Sequence, residues 1–113
     1  MSTPSINDES FRQVLEWNAK QKFREDCRIV CAANRNNITG QILLGARHWD
    51  TMMHLAMGDN SYESWSDCDS GFIDQFGNFY YRHEAFIVAE RQNQIIHIIG
   101  TEHNRKLFSE NLY

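Results

Sequence analysis

Two apolar runs, CRIVCAANR at 27–35 and QILLGA at 41–46, are separated only by the breaker cluster NNITG. A crossover between parallel strands takes about a dozen residues or more, so these runs can pair only as an antiparallel hairpin with a four- or five-residue loop. That spacing constrains the fold more than any other feature, because it starts a sheet and sets its sense. The first run is too apolar to alternate, which predicts burial on both faces from Ile29 to Ala32. Arg47 then falls at the end of the second strand.

The period changes directly afterwards. Trp49, Met52, Met53, Ala56 and Met57 lie at i, i+3, i+4, i+7 and i+8, one face of a helix that Gly58 should stop. That face assigns the tryptophan and the methionines to the core and turns His48, Asp50, Thr51 and His54 away from it. Residues 59–70 are polar and acidic, which predicts a mobile surface loop. GFIDQFGNFYY then reads as two brief strands about a tight Gly77–Asn78 turn. From Arg82 helical spacing returns, with Tyr81, Ala85, Val88 and Ala89 on one face as far as Gln92 or Asn93. QIIHIIG at 94–100 is β-branched and ends in glycine, which predicts another strand, and the tail from 101 has no period.

At the other end, residues 8–23 predict a helix capped by Asp8, with Phe11, Val14 and Leu15 on its stripe and Trp17 and Phe23 off it. The expected fold class is therefore α+β: a small, mainly antiparallel sheet with two hairpin–helix units and an extra N-terminal helix. One domain over 1–113 is expected, with 1–26 as a helical extension.

Composition narrows the function classes. The formal charge of −4 speaks against a coat for long nucleic acid, which would want a basic face, although a pocket can be locally positive. No apolar run approaches the roughly 20 residues that cross a bilayer, and MSTPSINDES lacks a secretory pattern, so no membrane partner is expected. Cys27, Cys31 and Cys68 are read as reduced, buried thiols; CxxxC on an apparent strand with no second pair does not make a zinc site.

No phosphate-binding glycine loop, HExxH or nucleophile elbow is present. His83-Glu84 lacks the His-x-Glu and PCxxC of the zinc deaminases. Asp50 and His54, spaced i, i+4, read as a helix-face pair. What remains is arginine beside aromatic: Arg47 with Trp49, Arg82 with Tyr80 and Tyr81, and Arg105 near Phe108. Guanidinium groups hold phosphates and aromatic faces stack bases, so a nucleotide ligand is one reading and solvated surface arginines the other. The stretch GARHWD poses the same choice. Arg47, His48 and Asp50 either close a helix end or grip something.

IVCAANRNNITGQILLGARHWD, GFIDQFGNFYYRHEAFIVAERQNQI and KLFSENLY together resemble a family of small phage proteins that read GxRHxD, GFxDxxGxFxxRxEAxxxA and a terminal SExLY. The chain resembles the first-described family of phage anti-Thoeris proteins from about residue 27 onward. The resemblance implies a sponge in the host cell cytoplasm, needing no cofactor and no catalysis. It would sequester cyclic ADP-ribose isomers and, at a separate site, cyclic oligonucleotides such as cyclic trinucleotides. It also implies a homo-oligomer, a dimer or a hexamer built from dimers. Ligand contacts would fall on Arg47, His48, Phe72 as the base-stacking face, Asn78, Arg82 and Arg105. Tyr81 and His83 depart from the family pattern, and residues 1–26 have no counterpart in it. Two other readings stand beside the sponge: a protein-binding inhibitor or adaptor using Tyr62 and Trp65, and a small nucleotide hydrolase using His48, Asp50 and His54.

Overall fold

The structure, a computed structural model, describes residues 9–57, 65–100 and 104–113. The elements are α1 (Glu9–Lys20), β1 (Ile29–Asn36), β2 (Ile42–Gly45), α2 (Thr51–Met57), β3 (Cys68–Asp74), β4 (Phe79–Tyr81) and α3 (Arg82–Arg91), followed by a short 3-10 turn at Ser109–Asn111. The strands form one antiparallel sheet in the order β2-β1-β3-β4. This is an α+β fold of two hairpin–helix units preceded by a helix, as the spacing of the apolar runs predicts.

Register explains where the core lies. Ala32 pairs with Phe72 and Phe72 with Tyr80, so one row of side chains crosses β1, β3 and β4 on a single face. Ala85, Phe86, Val88 and Ala89 of α3 are buried in the same cluster, joined by Met53 of α2, Leu43 of β2 and Leu107 of the tail. Buried polar groups fasten the β3–β4 turn and tie β1 to β3 and α2. Asp74 accepts the Phe76 N–H at 2.8 Å, the Asn78 N–H at 3.0 Å and the Tyr80 hydroxyl at 2.6 Å. Burial and that carboxylate push the Tyr80 phenol far above its usual range. Asn34, buried in β1, takes the Ser70 hydroxyl at 2.6 Å and donates to the Met53 sulfur at 3.1 Å.

Several expectations are corrected. Val30 is exposed because the β1–β3 register is irregular between Ile29 and Cys31, which swings it out of the core. Helix α2 has only seven residues; Met53 is buried, but Met52 and Ala56 are exposed. Val14 and Leu15 of α1 are exposed too, so that helix does not bury the expected stripe. Tyr81 is not on the buried face of α3. It ends β4, its N–H donates to Glu84 at 3.0 Å, and its ring is exposed.

Residues 94–100 are not a strand. The Ile96 and His97 amides both donate to the Asn111 carbonyl, at 2.9 and 3.1 Å, and Ile98 stays 78% exposed. Near the expected loop, Trp65 is buried and β3 begins at Cys68; the remaining loop residues up to 64, with Gly58, lie outside the described residues, as do Asp8 and the Phe11 side chain.

Candidate functional site

The joint between β2 and α2 answers the question posed by GARHWD, and each residue answers differently. Asp50 closes the helix. Its carboxylate accepts the Met53 N–H at 3.0 Å and the Arg47 N–H at 3.1 Å. Those backbone bonds hold its pKa below the ordinary carboxylate value. The carboxylate lies across the end of β2, where a Cβ on Gly45 would stand 2.5 Å from it; only glycine leaves that room.

His48 turns inward, against the expectation that it looks away from the core. Its Nε2 lies 2.6 Å from the Gly71 carbonyl and its Nδ1 2.9 Å from the Ser109 hydroxyl. A carbonyl can only accept, so Nε2 carries the proton and the Ser109 O–H donates to Nδ1. Burial, helped by the positive charge of Arg82, lowers the His48 pKa to about 4. The ring is therefore neutral at neutral pH, and it meets Phe72 edge-on at 4.9 Å.

The joint between β4 and α3 has no connecting residue, since Arg82 follows Tyr81 directly. Arg82 is half-buried. Its guanidinium donates to the Leu107 carbonyl at 2.8 Å and lies 4.4 Å from the Phe108 ring centre, while the Arg82 carbonyl accepts the Leu107 N–H at 3.0 Å. Among the described residues its other donors carry no hydrogen bond. Burial lowers its pKa and Glu110 opposes that shift.

Arg47 approaches the same turn from the other joint. It lies 3.8 Å from the Glu110 carboxylate and donates to the Tyr113 backbone oxygen at 3.3 Å. Arg47, His48 and Arg82 thus gather around Ser109 and Glu110, two from one hairpin–helix unit and one from the other.

The other three expected ligand residues lie elsewhere. Phe72 is fully buried (0% exposed), because its register with Ala32 and Tyr80 points it into the core; it offers no exposed stacking face. Asn78 sits in the β3–β4 turn and donates to the Asn18 carbonyl at 2.7 Å, tying α1 to that turn. Arg105 is exposed, 3.5 Å from Glu90 and 5.2 Å from the Phe86 ring centre. The His54 Nδ1 lies 2.9 Å from the Asp50 backbone carbonyl.

Residues 28–113, β1 through the C-terminal turn, match the family described as phage T4 y16D protein. The chain belongs to that family. No curated protein and no solved structure matches it. The y16D segment contains every residue of the arginine cluster and leaves out α1. Phe108, expected beside Arg105, lies beside Arg82 instead. The sequence does not single out Ser109 and Glu110, because the aperiodic tail gives no face to assign them to, although a buried serine and asparagine in so short a stretch mark a structured turn. Among the described residues no helix is long and apolar enough to cross a membrane.

Proposed function

We propose that this phage protein binds and sequesters a nucleotide-derived immune signal, a cyclic ADP-ribose isomer, in the host cytoplasm without degrading it. The observation that carries the proposal is the convergence of Arg47 and Arg82 on one turn beside an uncharged imidazole. Two guanidinium groups approaching from different elements suit a pyrophosphate, whose oxygens accept paired N–H donors. Glu110 holds the place of the anion: its contact with Arg47 is solvent-exposed and worth about 0–1 kcal/mol, so a ligand carrying two phosphates can displace it. Phe108, half-buried beside Arg82, is the aromatic ring of this site; Phe72 has no part in the proposal.

Binding without turnover is favoured by the engagement of the residues a hydrolase would use. Both nitrogens of His48 are occupied, Asp50 caps α2, and His54 contacts a backbone carbonyl. An adaptor reading loses its exposed tryptophan, since Trp65 is buried. We further propose a homo-oligomer, because Trp17 at 54% exposure, Val14, Leu55 and Ile98 leave more large apolar surface than a monomer usually keeps. Light scattering that returns a monomer mass at micromolar concentration would remove that part.

The test of the whole is to incubate the protein with cyclic ADP-ribose isomers and cyclic di- and trinucleotides, remove unbound ligand, heat-denature and analyse what is released. Intact ligand supports sequestration, a cleaved product would replace it with hydrolysis, and an empty protein would overturn it.

A further inference from the structure

Strand β2 ends at Gly45, which pairs with Ala32, while β1 runs on to Ile29. The protein closes part of that open edge without a strand. The Gln94 side chain accepts the Ile29 N–H at 2.8 Å and donates to the Ile29 carbonyl at 2.8 Å, and the Gln94 N–H donates to the Ala89 carbonyl at 2.8 Å. The carboxamide is thereby fixed as a substitute peptide group. Beside it remains a cavity of about 350 Å³, walled by Arg28, Val30, Gln92, Asn93, Leu112 and Tyr113. That volume lies in the lower range of small-ligand sites.

The polar groups facing this cavity are distinctive. Among the described residues Arg28 is the one arginine whose guanidinium has no hydrogen bond, ion pair or ring partner. The Asn93 carboxamide and the Tyr113 hydroxyl likewise carry no hydrogen bond among the described residues. Asn93 stands in the left-handed region at φ 56°, a conformation asparagine tolerates better than most residues. Among the described residues no acidic side chain lines the cavity. Val30, swung out by the strand irregularity, joins Leu112 and Tyr113 in adding apolar surface to the cavity wall.

We propose that this cavity binds a small organic oxyanion, a carboxylate or a phosphate monoester on a compact planar body. The anion pairs with Arg28, Asn93 and the Tyr113 hydroxyl hydrogen-bond its flank, and the planar body rests on Val30, Leu112 and the Tyr113 ring. The proposal does not depend on the function proposed for the arginine cluster around Glu110, although the two places share Tyr113: Arg47 takes its backbone oxygen and lies 6.0 Å from its ring centre, while the residue also lines the cavity.

Titration calorimetry with phenyl phosphate, benzoate and neutral benzamide tests this on the full chain. Phenyl phosphate or benzoate should bind at least about tenfold more tightly than benzamide, the scale of a charge-assisted hydrogen bond; which of the two binds better identifies the natural anion as phosphate or carboxylate. Arg28→Gln should remove that preference and Arg28→Lys should retain part of it. The Arg28 side chain is exposed, and the residue's hydrogen bond to Gln75 uses its backbone N–H, so its variants should stay folded. The proposal is overturned if neither anion binds at millimolar concentration, if benzamide binds equally well, or if Arg28→Gln binds like the parent.

Discussion

The two hairpin–helix units carry the same signature, an arginine leading from a strand into a helix, yet their joints are built differently. In the second unit Arg82 starts α3 directly from β4, is half-buried, and is held through both its side chain and its carbonyl by Leu107. In the first unit residues 46–50 separate β2 from α2, Asp50 caps the helix, and Arg47 remains exposed. The helices differ in the same sense. Four residues of α3 are buried against one of α2. A tight joint makes its arginine part of the fold, and a loose one leaves its arginine available. The second unit is the frame; the first presents the replaceable charge.

The largest effect that would break this contrast lies in the frame. Phe72→Ala should cost about 3–5 kcal/mol of stability by denaturant unfolding, the usual range for a buried phenylalanine; a small loss would mean that β3 does not anchor the core. Met53→Ala should cost about 2–4 kcal/mol, since it removes the single side chain that α2 buries.

His48 links the joints and gives a pH signature. Its native pKa of about 4 is below the unfolded value of about 6.5. Between these values the unfolded chain binds more protons, so stability falls as the pH drops from about 6.5 towards 4. Allowing for solvent screening of its exposed edge, the loss should be roughly 2 kcal/mol. His48→Gln should flatten that slope; an unchanged slope would show that other groups produce it. Smaller still, Asp50→Ala should cost about 1 kcal/mol as a lost helix cap.

The sequence made the frame legible where periodicity and spacing acted locally. NNITG imposed the first hairpin, Gly77–Asn78 the second, and the spacing of Ala85, Val88 and Ala89 the buried face of α3. It misled where tertiary contacts decide. The β-branched residues at 94–100 find no ladder, because Gln94 already closes the adjacent edge of β1 with its side chain. Phe72, expected from the resemblance as a base-stacking face, is buried by its cross-strand partners. Arg47 and Arg82 could be singled out as charged residues beside aromatics, whereas Ser109 and Glu110, which bring them together, come from a tail whose position depends on Leu107 and Asn111 entering the core.

The most direct test of the proposed function is a paired measurement on Arg47→Ala: the affinity for the cyclic ADP-ribose isomer that the proposal assigns to the parent protein, and the melting temperature of the free variant. Loss of one charged hydrogen-bonding group from a phosphate site should weaken binding by about tenfold or more, while an exposed side chain contributes less than about 1 kcal/mol to the fold. Arg47→Ala should lose much of its affinity while its melting temperature stays nearly unchanged. A variant that binds as tightly as the parent, or one that loses its fold, would contradict the proposed function.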